Sequence, residues 1–327
     1  MSLMPKTRIV YIPASLVGER LDKVLVQLFP EFSRSRLQSY IKMKHVFVNG
    51  LPAKVCQRVL LGEKIKLVPS LLPEELAFMP EPVPLNIIYE DDAIIVIDKP
   101  AGLVMHPAAG NWSKTVLNGL LYRYGDKSDK LYRAGIVHRL DKETSGLVVI
   151  ARTSTAQNEL IRQLQERTVK RSYFALVFGT IPEYGTIDAP VGRDPRKRTQ
   201  MAVVRSQYGK PARTHFRRIA TCLWKCHSVS AIQCDLETGR THQIRVHCSS
   251  IGHPLLGDQI YGRTSDRNSI KYLPGGFARQ ALHAWRLGLI HPIIKEPIQW
   301  QCSFPKDMIT LIKELGLWYE NIIDINS

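Results

Sequence analysis

Apolar and polar positions occur in blocks between residues 134 and 151. A short apolar run, residues 134–137, is followed by a polar segment, residues 138–146, and then by a second apolar run, residues 147–151. Short apolar runs bounded by turn residues predict buried strands. A polar loop between two such strands lies at the end of a sheet, where a rigid scaffold orients side chains toward a ligand. We therefore expect the chemistry of this protein in residues 138–146.

Asp141 is the strongest candidate for a reactive group in this loop. Arg139 lies two positions before it, so both side chains would project from the same side of an extended segment. A carboxylate held among apolar strands becomes protonated through desolvation unless a fixed cation keeps it ionised. The alternative is that Asp141 is a solvated turn residue and that Gly146 only supplies a positive φ. The loop by itself leaves both interpretations open.

Residues 17–69 carry the pattern of a separate small unit, preceded by an N-terminal segment, residues 1–16. A first helix is predicted by apolar residues at helical spacing, namely Leu21, Val24, Leu25 and Leu28. Ser33 offers an N-cap for a second, basic helix. An alternating stretch then ends in Asn49-Gly50, which is a strong signal for a tight hairpin. The pattern predicts two helices packed on a short hairpin.

The rest of the chain predicts a spacer and a larger domain. Residues 70–84 contain several prolines and predict a semi-rigid spacer, because proline disfavours both helix and central strand. Residues 85–327 mix strand and helix patterns without a strict βαβ repeat, which predicts an α+β domain with a mixed, mainly antiparallel sheet. One of its helices is expected from about Lys114 to Tyr124, with Ser113 as its N-cap.

The charge of the chain points to a polyanionic partner. The 327 residues include 45 Lys and Arg against 29 Asp and Glu, so the net charge is +16. A protein this basic is a candidate for binding nucleic acid. The basic residues also cluster, and one group consists of Arg193, Arg196, Lys197 and Arg198. Such clustering argues against charge that only serves solubility.

Composition also bears on the location of the protein. No apolar run is long enough to cross a membrane, and the N-terminus lacks the apolar core of a signal peptide. The six cysteines show no spacing typical of a disulfide framework. We expect a cytoplasmic protein with free thiols, no membrane partner and, by default, a monomeric state.

Two groups of residues could be taken for metal ligands, and we interpret neither as a metal site. Cys222 and Cys226, followed by His227, have no second pair at finger-like spacing. His242 and His247 lie near each other without a carboxylate or cysteine that would complete a set. The sequence also lacks a P-loop and a dinucleotide fingerprint. We expect neither a metal nor an organic cofactor.

Three separated segments carry a specific resemblance to a known family. The segments are HRLDKETSGL at residues 138–147, RSY at residues 171–173 and LETGRTHQIRVH at residues 236–247. They resemble, in the same order, the three motifs of the RluA family of RNA pseudouridine synthases. The N-terminal unit resembles the S4 RNA-binding domain, and HPLLGDQIYG at residues 253–262 resembles the branch that modifies large-subunit ribosomal RNA. Without the resemblance, Tyr173 would be interpreted as an aromatic strand residue.

The resemblance implies a pseudouridine synthase fold for residues 85–327. It also implies that Asp141 is the catalytic residue, that Arg245 is its ionic partner and that Tyr173 belongs to the active site. An arginine suits the partner's role because it stays charged and can meet a carboxylate with two parallel hydrogen bonds. Contacts with RNA are expected from His138, Arg139, Arg20, Lys23, Arg34 and Arg36.

Pseudouridine formation breaks the bond between ribose C1′ and uracil N1, turns the base and rejoins it through C5, so it consumes no cofactor. An ionised Asp141 could act as a nucleophile or remove the C2′ proton as a base, and the sequence does not choose between them. Tyr173 would stack on the base or help to remove the C5 proton. The uridine must leave its stack, and Arg139 is expected to fill the vacated space. The resemblance implies the hairpin loop of helix 69 in large-subunit ribosomal RNA, free or in its precursor particle, as the target.

Other classes of function stay open at this point. A non-catalytic RNA-binding factor of ribosome assembly would keep the fold, but it would not need Asp141, Tyr173 and Arg245 together. A related synthase acting on other ribosomal RNA uridines would carry the same residues. A metal-dependent nuclease would suit the charge, but the sequence lacks the required set of carboxylates.

Overall fold

The structure is a computed structural model that describes residues 6–70, 76–108, 110–125, 131–262 and 273–317. The chain divides into two compact units, Met1–Ala77 and Phe78–Ser327, and the division falls inside the segment predicted as a spacer. The start of the predicted N-terminal segment and the end of the large domain lie outside the described residues. Within these ranges, no helix is long and apolar enough to span a membrane.

The first unit packs two helices against a small antiparallel sheet. Its elements are β1 (Arg8–Tyr11), α1 (Leu21–Leu28), α2 (Arg34–Lys42), β2 (Val46–Val48), β3 (Leu51–Pro52) and β4 (Lys64–Leu67). The strands are ordered β1, β4, β2, β3. The predicted apolar stripe of α1 is buried in the core of this unit, and Ser33 caps α2 by accepting a hydrogen bond from the backbone of Arg36. The two predicted helices and the hairpin are confirmed.

The second unit is built on strands with few helices. Its strands are β5 (Asn86–Glu90), β6 (Ile94–Lys99), β7 (Ser145–Ala151), β8 (Lys170–Phe178), β9 (Tyr184–Asp188), β10 (Val191–Arg193), β11 (Met201–Val203), β12 (Arg213–Trp224), β13 (His227–Leu236), β14 (Leu282–Ile290) and β15 (Pro297–Gln301). Its helices are α3 (Val116–Tyr124), α4 (Ser154–Gln165), α5 (Gln243–Ser250) and α6 (Lys306–Glu314).

One large sheet organises the second unit. In the described part of the chain its strands run in the order β5, β6, β7, β14, β8, β13, β12, β9, and β15 pairs with β14. All neighbours are antiparallel except β7 and β14, which are parallel. Strands β10 and β11 form a separate antiparallel pair. The predicted α+β fold with a mixed, mainly antiparallel sheet is confirmed.

Strand β8 separates two buried layers. Side chains alternate along a strand, so Tyr173 joins a core that also contains Leu140 and Ile244. Phe174 faces the opposite core, to which α6 contributes Met308. Because Leu140 precedes Asp141 and Ile244 precedes Arg245, the three motifs found in the sequence meet on one side of the sheet.

The apolar run at residues 134–137 is not a strand, so that prediction is wrong. The segment Tyr132–Gly135 is a 3-10 turn, and Ile136 makes one isolated bridge with Ile150. Gly135 has a φ of +80°, and a side chain there would meet the backbone of Ala151. The left-handed backbone interrupts the run before it can extend, since a strand requires negative φ values.

The N-cap of α3 also differs from the prediction, which named Ser113. Lys114 has a φ of +54°, so the helix starts only at Val116, and Thr115 is its N-cap. The Thr115 hydroxyl accepts a hydrogen bond from the backbone of Asn118, whose side chain accepts one from the backbone of Thr115. This reciprocal capping box satisfies two backbone donors and outweighs the single bond that Ser113 could offer.

Gly146 permits the close approach of β7 to β14, where it lies opposite Ala284. Its φ is +115°, and a Cβ atom there would lie 2.2 Å from the carbonyl oxygen of Ala284. We expect Gly146→Ala to lower the free energy of unfolding by about 3 kcal/mol, measured by urea denaturation. Gly102→Ala is the control, because Gly102 has a φ of +87° but open space around it, and it should cost about 1 kcal/mol. Equal losses would contradict a steric role for Gly146.

Candidate active site

A cavity of about 580 Å³ opens on the side of the sheet where the motifs meet. It is lined by the loop before β7, by the start of β8 and by the segment that enters α5. The predicted site residues on its wall are His138, Arg139, Asp141, Tyr173 and Arg245. The structure therefore brings together all of the predicted residues of the large domain.

The loop that carries Asp141 is fixed by backbone hydrogen bonds. The backbone N–H of Thr144 donates to the carbonyl of Asp141 at 3.1 Å and closes a turn. The carbonyl of Lys142 accepts from the backbone of Gly102 at 2.9 Å and from the fully buried side chain of Lys99 at 3.1 Å. A loop held in this way can orient the Asp141 carboxylate without help from the substrate.

Arg245 holds the Asp141 carboxylate, as predicted from the sequence. Its Nη1 donates to Asp141 Oδ2 at 3.1 Å, and the side chains of Arg245 and Asp141 are 5% and 14% exposed. Burial disfavours the guanidinium charge, but the hydrogen bonds to Asp258 and Asp141 outweigh it and raise the pKa of Arg245 above its usual value. The guanidinium therefore stays charged beside Asp141 at every pH at which the protein is folded.

Asp258 is a site residue that the sequence analysis missed. Arg245 donates to it through Nε at 2.7 Å and Nη2 at 3.0 Å, and the Asp258 side chain is fully buried. Its Oδ1 also accepts from the backbone N–H groups of Ile260 and Tyr261. Burial by itself would raise the pKa of Asp258, but the hydrogen bonds and the charge of Arg245 outweigh burial, so the pKa lies below its usual value. The signal in the sequence was the segment GDQIYG, in which an aspartate stands among mainly apolar residues. An aspartate that is buried there needs a cation as its partner.

His242 also lies close to the contact between Asp141 and Arg245. Its Nε2 lies 3.9 Å from Asp141 Oδ2, and its Nδ1 is 2.7 Å from the Tyr261 hydroxyl. The residue caps α5 with a left-handed φ of +57°. Burial lowers the pKa of His242, so the ring is neutral at pH 7. The guanidinium of Arg245 lies over the Tyr261 ring at 4.9 Å, which makes Tyr261 a support for both residues.

Tyr173 lies in the cavity wall and is 6% exposed. Burial raises the pKa of its phenol to about 12. The phenol is therefore protonated at neutral pH, and it can stack on a base or donate a hydrogen bond. It is poorly suited to act as a phenolate base.

His138 and Arg139 have different surroundings, although they are adjacent. Arg139 is exposed at the cavity. His138 Nε2 accepts a hydrogen bond from the backbone of Val149 at 3.0 Å, and burial lowers the pKa of His138 to about 3. His138 thus supports β7 as a neutral ring, while a contact with RNA stays a prediction for both residues.

Two of the four predicted RNA-binding residues of the first unit share one buried acid. Arg20 and Arg34 both donate to the carboxylate of Asp22, at 3.0 and 2.7 Å, and Asp22 is fully buried. Lys23 is exposed on the same helix as Asp22. The guanidinium of Arg36 lies over the rings of Phe32 and Tyr40, 5.6 Å from each centroid. Two cations share one anion, so the cluster of Asp22 with its two arginines carries a net positive charge.

No cluster of three or more potential metal ligands occurs in the residues that the structure covers. The six cysteines are free thiols. Cys226 is exposed in the turn between β12 and β13, and Cys222 is half-buried within β12.

Comparison with known proteins identifies the family. Residues 93–250 match the family described as RNA pseudouridylate synthase, and residues 19–65 match the S4 domain. The ribosomal large subunit pseudouridine synthase D of Nitrosomonas europaea is 50% identical over 93% of this chain and 86% of that protein. This chain belongs to the RNA pseudouridylate synthase family. The proteins of the same name from Neisseria meningitidis and Pasteurella multocida are 49% and 46% identical to this synthase, over 94% of its chain and 81% and 95% of theirs.

A solved structure supports the same assignment. Human RNA pseudouridylate synthase domain containing 1 is 29% identical, with a TM-score of 0.55, over 69% of this synthase and 85% of that chain. The resemblance to the family of RNA pseudouridine synthases with an N-terminal S4 domain is thereby confirmed.

The ionic contact of Asp258 predicts a pH dependence of stability. Its pKa is depressed in the folded protein, so its contribution is present above the unfolded value of about 4 and is lost as the pH falls through the folded value. We expect Asp258→Asn to lower the free energy of unfolding by about 3 kcal/mol at pH 7, because it weakens the pairing of the buried Arg245. The deficit should shrink between pH 4 and pH 3 in urea titrations.

Asp307→Asn is the control for this experiment. Asp307 makes the same two-point contact with Arg279, but its side chain is 46% exposed. Its loss should cost about 1 kcal/mol or less, since solvent screens the pair. A deficit of Asp258→Asn that stayed constant down to pH 3 would contradict an ionised Asp258.

Proposed function

We propose that this synthase isomerises uridine to pseudouridine in large-subunit ribosomal RNA, with Asp141 as the catalytic residue. The observation that carries the proposal is the Asp141 carboxylate, paired with a permanent cation at 3.1 Å on the wall of a cavity. The relatives named as ribosomal large subunit pseudouridine synthases, which span nearly the whole chain, support the substrate class. The net charge of +16 suits a substrate of this kind.

Asp141 can serve in either of two routes to glycosidic cleavage. As a nucleophile it would bond to C1′ while the electron pair of the C1′–N1 bond leaves with uracil. As a base it would take the C2′ proton, and the electrons of the C2′–H bond would replace those lost from C1′. The hydrogen bond from Arg245 goes to Oδ2. Oδ1 therefore remains available for the ribose in both routes.

We propose that the uridine leaves the RNA stack to enter the cavity. A stacked uridine cannot present C1′ and both faces of its base to Asp141, so it is extruded at a cost of roughly a few kcal/mol. We propose that Arg139, exposed beside the catalytic residue, fills the vacated space. Loops open at lower cost than duplexes, which favours exposed uridines in structured RNA, and the family resemblance implies the hairpin loop of helix 69 as the target.

The protonation state of Tyr173 supports a stacking role. With a pKa of about 12, only a very small fraction of the phenol is ionised at pH 7. We infer that Tyr173 positions the base by contact rather than by removing the C5 proton. The free cysteines suit a reducing compartment, and we propose that the synthase acts in the cytoplasm as a monomer.

Replacement of Asp141 tests the catalytic role. We expect Asp141→Asn to lower pseudouridine formation by at least about 1,000-fold, because the amide is neither base nor nucleophile, while RNA affinity changes little. The assay is mapping of pseudouridine in unmodified large-subunit ribosomal RNA after incubation with each protein. Asp92→Asn, in the exposed turn before β6, is the control and should leave activity intact. A fully active Asp141→Asn variant would refute the catalytic role of Asp141. Pseudouridine found only outside helix 69 would refute helix 69 as the target.

Replacement of Arg34 tests the RNA contact of the first unit. Arg34 is 52% exposed and shares Asp22 with Arg20. If it contacts a phosphate, Arg34→Gln should weaken binding and reduce the slope of log Kd against log salt by about one. Arg34→Lys keeps the charge and should retain the slope. An unchanged slope in the Gln variant would remove Arg34 from the RNA interface.

A further inference from the structure

Arg171 is a buried cation in the wall of the cavity. It lies on β8 two residues before Tyr173, so both side chains project from the same face of the sheet. The residue is 7% exposed and lines the cavity together with Tyr173 and Gly239. A Cβ atom on Gly239 would lie 2.7 Å from Arg171 Nη1, so the glycine allows the loop before α5 to cover the guanidinium.

The charge of Arg171 is not compensated within the described residues. Its Nε is buried and has no hydrogen-bond partner there, and Nη2 donates only to the carbonyl of Glu237 at 3.2 Å. The Glu237 carboxylate is already engaged by Arg167, Arg213 and His215. Buried guanidinium groups are normally paired, because an unpaired one loses its hydration without replacement. Burial accordingly lowers the pKa of Arg171, with no carboxylate to oppose it.

A buried cation that has no acidic partner and lies beside a substrate cavity is suited to stabilise an anion that forms only during the reaction. Phosphates of the RNA backbone are strongly hydrated, and the exposed arginines at the cavity, Arg133, Arg139 and Arg167, are better placed for them. In the proposed function, the base of the extruded uridine contacts Tyr173, which lies on the same wall as Arg171. Cleavage of the glycosidic bond places a negative charge on this base.

We propose that Arg171 is a further catalytic residue, whose guanidinium contacts an oxygen of uracil and stabilises the uracil anion formed by glycosidic cleavage. The inference rests on the proposed function. In the step, the electron pair of the C1′–N1 bond moves to uracil, where the charge is shared among N1, O2 and O4. Asp141 supplies the electrons that C1′ loses, either directly or by taking the C2′ proton. The charge on Arg171 exists before the reaction, so no reorganisation is needed when the anion forms.

The effect of Arg171→Met on stability separates a catalytic role from a structural one, because replacing a purely structural arginine would lower the stability of the protein. Replacing Arg171 by methionine removes a buried charge that has no acidic partner, and methionine fills a similar volume. The folded protein should therefore lose nothing, or gain, while catalysis suffers. Arg279 provides the contrast, because it is 8% exposed but paired with Asp307 through two hydrogen bonds.

The experiment compares Arg171→Met, Arg171→Lys and Arg279→Met with the wild-type full-length synthase. We expect Arg171→Met to lower the single-turnover rate of pseudouridine formation about 100-fold. The Kd for RNA and its salt dependence should be unchanged, and the Tm should be equal or higher. Arg171→Lys should recover part of the rate, and Arg279→Met should lower the Tm. RNA containing 5-fluorouridine, whose base is the better leaving group, should show a smaller loss of glycosidic cleavage in Arg171→Met.

Three results would overturn the inference. An unchanged rate in Arg171→Met would remove the residue from catalysis. A higher Kd with a shallower salt slope would instead identify a phosphate contact. A lowered Tm, with an equal rate loss for uridine and 5-fluorouridine, would identify a structural residue. A wild-type protein that forms no pseudouridine would refute the proposed function itself, which is a separate outcome.

Discussion

The guanidinium of Arg245, held between two carboxylates, is the interaction on which the rest of the active site depends. Asp258 takes Nε and Nη2, and this two-point contact fixes the plane of the guanidinium before Asp141 is reached. Only Nη1 is directed at Asp141. All three groups are largely removed from water, so the loss of Arg245 would leave two buried carboxylates without their cation, and the loss of either carboxylate would weaken the pairing of the buried guanidinium. The contacts join α5, the loop before β7 and the turn after Leu255.

The sheet fixes the position of Asp141 relative to Arg245. Strands β7 and β14 approach closely at Gly146 and Ala284. Asp141 lies only a few residues before Gly146, in the loop that leads into β7. Lys99 also holds this loop, because its Nζ donates hydrogen bonds to the carbonyls of Pro100, Leu103 and Lys142. The Asp141 carboxylate is thus attached to a strand that is buried along its whole length. A displacement of Asp141 would require displacement of the sheet.

Local patterns predicted those parts of the structure that local physics determines. The α+β class and the helices of the first unit followed from periodicity, whereas the contact of Asp141 with Arg245 was implied only by the family resemblance. The run at residues 134–137 was misread because its left-handed backbone has no signature in hydrophobicity. The cap of α3 was misplaced because Ser113 and Thr115 are equally good candidates by residue type. Asp258 was missed because the pairing of a buried acid with an arginine 13 positions earlier depends on tertiary structure.

Three arginine sites in this synthase show how the same side chain acquires different properties from its anions. In the first unit, Arg20 and Arg34 share one buried carboxylate, so excess positive charge remains at a partly exposed surface. Arg245 lies between the carboxylates of Asp141 and Asp258 and forms with them a group of net negative charge.

Arg171 makes no contact with a carboxylate in the part of the chain that the structure describes. A surplus cation at a surface attracts RNA through its phosphates, which are present at all times. A surplus cation inside a cavity would bind phosphate only after costly dehydration, whereas a charge that develops within the cavity is already dehydrated. The same inventory of arginines can therefore serve binding in one unit and catalysis in the other, because burial and the number of acidic partners decide which anion each arginine can stabilise.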